Sequence, residues 1–207
     1  MTRATIHHDE DADLAELDGR TVSILGYGNQ GRSQALNLRD SGIEAIVGNR
    51  KDEYRERAIE DGFEVPSIAE AAGRGDVCCL LVPDEIVPTV FEQSVEDGLE
   101  TGDTLYLSHG YNLTYDLLQA PEGVDVVLLA PRIGGWAVRE RYESGAGFPS
   151  LMAVHRDHTG RAKAVALAMA SEGYLGQLPS HSTTSQYGQL SRFDALESDP
   201  LTGFFAE

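Results

Sequence analysis

Short apolar runs alternate along most of the chain with segments whose apolar side chains recur every three or four positions. The runs Thr21–Leu25, Ala45–Val47, Val77–Val82, Thr104–Ser108, Val124–Ala130 and Ser150–His155 have strand length and strand composition. Val77–Val82 is wholly apolar between Asp76 and Pro83, the pattern of a strand covered on both faces. Between the runs lie helical segments: Gln34–Leu38, Asp52–Asp61, Val87–Gln93 and Ala162–Ser171. Ser67 and Glu70 have the spacing of a capping box, with Ser67 at the N-cap. Strand and helix alternate from Thr21 to about Glu172, which predicts an α/β fold built on a doubly wound parallel sheet.

The pattern changes near the end. From Gln177 onward the chain is polar and rich in turn formers, and residues 193–207 carry at most a short helix before Pro200 and Gly203. Two units are therefore expected: a domain over 1–176 and a short C-terminal tail over 177–207, folded against the domain or a partner. At 207 residues with 41% apolar side chains the chain can bury a sizeable core. Apolar runs fall far short of the roughly 18 residues of a membrane span, and the first ten residues lack a signal-peptide core. A cytoplasmic location is expected.

Thirty-four acidic against sixteen basic residues give a net charge of −18, which repels nucleic acid and anionic membranes alike. Two of the sixteen cations, Lys51 and Lys163, are lysines. An acidic, lysine-poor surface suits solubility in concentrated salt, where like charges are screened. Cys78 and Cys79 are adjacent within an apolar run, so they read as buried core, and no histidine–cysteine spacing suits zinc.

Candidate chemistry gathers where the runs end. Thr21–Leu25 stops at Gly26-Tyr27-Gly28-Asn29-Gln30-Gly31, three glycines at the spacing of a dinucleotide-binding turn. Gly26 supplies the turn's backbone angle, Gly28 the close approach of a pyrophosphate, and Gly31 the packing of the next helix on the strand. That helix, starting near Asn29, directs its positive end at the phosphates. The domain is therefore expected to be Rossmann-like. The ribose is read at the end of the second strand. There Arg50 and Lys51 offer positive charge to a 2′-phosphate, which favours NADP, while Asp52 and Glu53 keep NAD open. The carboxyl ends of the later strands select Pro83-Asp84-Glu85, His109-Gly110-Tyr111-Asn112 and Pro131-Arg132-Ile133-Gly134-Gly135. His109 can donate a proton to a substrate oxygen, or merely hold a loop. Arg132 can grip a carboxylate in bidentate fashion. Asp84 is expected to cap the following helix.

These segments resemble the ketol-acid reductoisomerase family in motif and order. The likeness is carried by residues 26–31, Leu80-Leu81-Val82-Pro83-Asp84-Glu85, His109-Gly110-Tyr111-Asn112, and Gly147-Phe148-Pro149-Ser150-Leu151-Met152-Ala153-Val154-His155, and runs from about Val22 to Gly160. The resemblance implies a magnesium-dependent alkyl shift on an acetohydroxy acid, then reduction by NADPH. It places residues 26–31 (Gly26, Tyr27, Gly28, Asn29, Gln30, Gly31), Arg50, Lys51, Pro83 and Asp84 around the cofactor, and His109 and Arg132 at the substrate. Residues 180–192 resemble a late substrate-binding segment of the family's helical domain, which makes Ser182 a substrate-contacting serine.

Two departures stand out. The family usually carries lysine where Arg132 stands, and arginine keeps the charge in a bulkier, planar form. The acidic stretch with which the family's helical domain holds two magnesium ions is not found, so the Mg²⁺ ligands are unassigned. The chain resembles the family with the middle of that domain missing. Three functions stay open. One is a compact isomeroreductase that borrows carboxylates from a partner chain, and one is an NADP-dependent reductase of 2-keto acids. The third is a non-catalytic dinucleotide-binding module. Self-association is expected in each case, through surface that the missing helices leave bare.

Overall fold

A computed structural model describes residues 5–171 and 183–185. Its first unit is a strand–helix–strand module: β2 (Val22–Leu25), α1 (Asn29–Asp40) and β3 (Ala45–Gly48), with β1 (Thr5–His7) preceding it. Then come α2 (Glu53–Glu60), α3 (Ile68–Ala72), β4 (Val77–Leu80), α4 (Val87–Ser94), β5 (Thr104–Leu107) and α5 (Tyr111–Thr114). The described chain finishes with β6 (Asp125–Pro131), α6 (Gly135–Glu143), β7 (Ser150–Arg156), α7 (Ala162–Ala170) and β8 (Thr183–Ser185). Local chemistry marks the helix starts. The Asp52 carboxylate caps α2, and Ser67 with Glu70 forms the reciprocal capping box expected for α3.

The strands make one sheet in the order β1-β8-β7-β6-β5-β4-β2-β3. β3, β2, β4, β5 and β6 are mutually parallel, and their wholly buried middles explain the unbroken apolar runs. Successive residues feed opposite faces. Ile24, Val47, Cys79, Tyr106 and Val127 pack with α1, α2, α6 and α7, whereas Leu25, Ile46, Leu80, Leu107 and Leu128 pack with α3 and α4. With helices on both faces the sheet is doubly wound, as the alternation of runs predicts.

One strand departs from expectation. β7 runs antiparallel to β6, with Ser150 opposite Pro131, so the sheet is mixed and not wholly parallel. The reason is the path of α6. It packs along α1, and residues 144–149 re-enter the sheet beside the end of β6 that they have just left. An apolar run encodes burial, not direction. β8, from the segment read as a tail, joins β7 in parallel and β1 in antiparallel pairing.

Candidate nucleotide-binding site

The order of strands reverses between β2 and β4, and the loops at their carboxyl ends flank that switch point. Gly26 closes β2 at φ +106°, and its N–H donates to Gly48 O at 2.9 Å. A Cβ on Gly26 would come within 2.9 Å of Leu81 O and Val82 Cγ1, and one on Gly31 would overlap the Gly26 carbonyl. Gly28 differs from both. Its φ of −76° suits any residue, and a Cβ there would meet nothing within 4 Å. Neither backbone strain nor packing demands glycine at 28, and what remains is open space before the N-terminus of α1. That helix has no side-chain cap and no acidic residue in its first turn, so its N–H groups and positive dipole end face outward unneutralised.

Tyr27 turns the other way. Its side chain is buried in the core, packs edge-on against Phe63, and donates its hydroxyl to Asp61 Oδ2 at 2.8 Å. Burial and the Asp61 carboxylate push its pKa up. The Tyr27 N–H donates to Asn49 Oδ1 at 3.1 Å, so its side chain and its N–H both serve the protein's own structure. Gln30 is likewise engaged: its Nε2 donates to Ile133 O at 3.1 Å. Asn29 backs onto Gly135, where a Cβ would collide with Asn29. Together they tie the start of α1 to the loop after β6.

At the end of β3, Asn49 joins the glycine turn to the next loop, since its Nδ2 donates to Asp52 Oδ1 at 2.8 Å. Asp52 has further partners. Oδ1 also accepts the Tyr54 and Arg55 N–H groups, and Oδ2 accepts Arg50 Nε at 2.6 Å. The Arg50 side chain is 77% exposed. Lys51 is exposed beside it.

Across the switch point, β4 ends and Asp84 Oδ2 lies 2.7 Å from His109 Nδ1 on the loop after β5. The expected helix cap is therefore corrected: α4 begins after Ile86 with no side-chain cap, and the Asp84 carboxylate goes to the histidine. That hydrogen bond raises the His109 pKa against the opposing effect of burial. Pro83 is exposed and turns the chain, its carbonyl accepting Ile86 N–H at 3.0 Å. Asn112 Nδ2 donates to Asp84 O at 3.1 Å, while its Oδ1 is buried without a partner. A cavity of about 110 Å³ lies here, lined by Gln30, Leu81, Val82, Asp84, Ser108 and His109.

Sequence reasoning thus brings Gly28, Gln30, Asp84 and His109 to one edge of the sheet. It missed Asn49, Ser108 and the service of Asn112 to the Asp84 loop, although Asn112 lay inside a quoted motif. Arg132 is half-buried beyond β6, held by its N–H to Pro149 O at 3.0 Å. Ser182 lies outside the described residues. Among the described residues no three His, Cys, Asp or Glu side chains gather to hold a metal ion.

Residues 16–176 match the family described as acetohydroxy acid isomeroreductase, NADPH-binding domain. A ketol-acid reductoisomerase (NADP(+)) of Methanopyrus kandleri is 52% identical over 168 residues, which is 81% of this chain and 52% of the relative. One from Haloarcula marismortui is 47% identical over 167 residues, 80% of this chain and 48% of the relative. This chain spans about half the length of the curated relatives it matches. The structure of an NADH-preferring ketol-acid reductoisomerase from an uncultured archean superposes with a TM-score of 0.86 at 36% identity, over 95% of this chain and 60% of that one. An NAD-binding semialdehyde dehydrogenase protein from Cupriavidus necator, at 18% identity and a TM-score of 0.61, shares the fold alone.

Proposed function

The chain belongs to the ketol-acid (acetohydroxy acid) reductoisomerase family and contains its nucleotide-binding domain, and from that premise we propose that it binds NADP(H) at the β2/β4 switch point and uses it to reduce a 2-keto acid. The observation that carries this reading is Gly28: a glycine that neither strain nor packing requires, before the unneutralised N-terminus of α1. A pyrophosphate fits that space, held by the N–H groups of the turn and of the first turn of α1. Arg50 would hold the 2′-phosphate. Asp52 accepts from its Nε, and the Arg50 side chain is 77% exposed at the end of β3. When bound, the cofactor supplies a hydride.

The protein's own residues do the rest. His109, with Nδ1 held by Asp84, donates a proton to the substrate oxygen, and Arg132 fixes the substrate carboxylate. Ser182 contributes a further substrate contact. The described residues do not fit a pair of magnesium ions.

The test follows NADPH oxidation by the purified chain in high salt, with 2-acetolactate and with a simple 2-keto acid, each with and without Mg²⁺. Turnover of the simple keto acid without magnesium is expected, together with little magnesium-dependent turnover of acetolactate. Oxidation with neither substrate would remove the enzymatic reading. We further propose that the protein resides in the cytoplasm, tolerates concentrated salt and associates with itself. Association is supported by the exposed apolar side chains of Ile86, Tyr111, Tyr115, Leu117 and Trp136, the first four in the segments that follow β4 and β5 and the last at the start of α6.

A further inference from the structure

We propose that Asp84 is the positioning residue of His109. Its carboxylate accepts the Nδ1 proton, fixes the ring's orientation and tautomer, and leaves Nε2 as the atom that meets a ligand in the adjoining cavity.

The geometry has three parts. Asp84 Oδ2 stands 2.7 Å from His109 Nδ1, across the gap between the β4 and β5 loops. The Asp84 backbone is itself pinned, because buried Asn112, two positions past the His109-Gly110 turn, donates Nδ2 to the Asp84 carbonyl at 3.1 Å. The two loops are thus cross-braced twice, once by side chain to side chain and once by side chain to backbone. Third, Asp84 and His109 both line the cavity of about 110 Å³, beside Gln30 and Ser108. Those two neighbours carry no charge. Asp84 is the charged side chain that acts on His109 among the described residues, and it stabilises the protonated ring. α4 starts without a side-chain cap, and the Asp84 carboxylate pairs with the histidine instead.

The consequence for reduction rests on the function proposed above. A bound reduced nicotinamide would supply hydride to the carbonyl carbon, and the C=O electron pair would pass to the substrate oxygen. That oxygen takes the Nε2 proton and becomes the product hydroxyl. The imidazolium is left as a neutral ring protonated at Nδ1, still bonded to Asp84. Without Asp84, neutral histidine prefers the opposite tautomer, and the ring can rotate.

The dyad can be tested without turnover. The full chain is labelled with ¹⁵N-histidine, and two-bond ¹H–¹⁵N correlation spectra are recorded across pH. His109 is assigned among the six histidines by His109→Gln. In the wild type, the deprotonated ring should carry its proton on Nδ1, and the midpoint should lie above the ordinary 6.5. Asp84→Asn should lower the midpoint, and Asp84→Ala should also move the neutral ring toward the Nε2-protonated form. A wild-type ring protonated at Nε2 would overturn the proposal even if neither variant folds. An unmoved midpoint in folded variants would overturn it too. An intact dyad in a chain that reduces no keto acid would refute the reductase reading and leave the positioning assignment standing.

Discussion

At the scale of single residues, the three glycines of the turn answer to different forces, and substitution separates them. Gly31→Ala drives a methyl group into the Gly26 carbonyl, so α1 must shift off the turn. A loss of about 1–3 kcal/mol is expected, measured by urea denaturation. Arg50 offers a second separation. Removing its guanidinium should weaken NADPH by about tenfold or more and leave NADH nearly unchanged, because the contact proposed for it is a charge-assisted hydrogen bond to the 2′-phosphate. Equal losses for the two cofactors, measured by titration of Arg50→Ala, would show that another group reads the ribose. The archean neighbour that prefers NADH makes this comparison worth running with both nucleotides. Asp61 is one of the carboxylates that contribute to the acid side of stability. It accepts from Tyr27 and Arg32, and these partners hold its pKa below the ordinary 3.8. Its stabilisation is therefore complete above that value and lost as pH falls through the depressed folded value. Asp61→Asn should flatten the acid limb of the stability curve; an unchanged limb would assign acid unfolding to other carboxylates.

At the scale of elements, α3 is held at its start by a reciprocal cap, and Ser67→Ala should cost about 1 kcal/mol in the same denaturation assay. How much of such structure could be read from the sequence depends on how local its cause is. The α3 cap, the α1 start and the buried strands are set by neighbours a few residues apart, and they stand where the pattern places them. The direction of β7 is set by α6 packing on α1, a contact about a hundred residues apart in places, as in the bond from Arg139 to Asn37. The Asp84–His109 pair spans two loops, so its partners were visible singly while the link between them was not. Asp84 read as a cap because a carboxylate just before a helix normally is one. The burial of the Tyr27 side chain was not visible either, because motif spacing says nothing about which way a side chain turns.

At the scale of the whole molecule, charge and exposed apolar surface make opposite demands. A net charge of −18 repels other copies of the chain in dilute buffer, whereas the exposed Ile86, Tyr111, Tyr115, Leu117 and Trp136 favour association once salt screens that repulsion. Thermal unfolding and sedimentation, each in dilute buffer and in molar potassium chloride, should show a higher melting temperature and a larger particle in the salt. A fold and mass indifferent to salt would remove both the halophilic reading and the docking role of these side chains.

The central claim is that a nicotinamide dinucleotide occupies the space before α1, and one titration addresses it most directly. Quenching or enhancement of NADPH fluorescence is followed on the wild-type chain and on Gly28→Val in molar salt. The added side chain meets no protein atom within reach of its Cβ, so thermal unfolding should be nearly unchanged. Saturable binding by the wild type, weakened at least about a hundredfold in the variant with its melting temperature preserved, is the result predicted. Equal affinity in the two proteins, or no binding by the folded wild type, would contradict a nucleotide site at this turn.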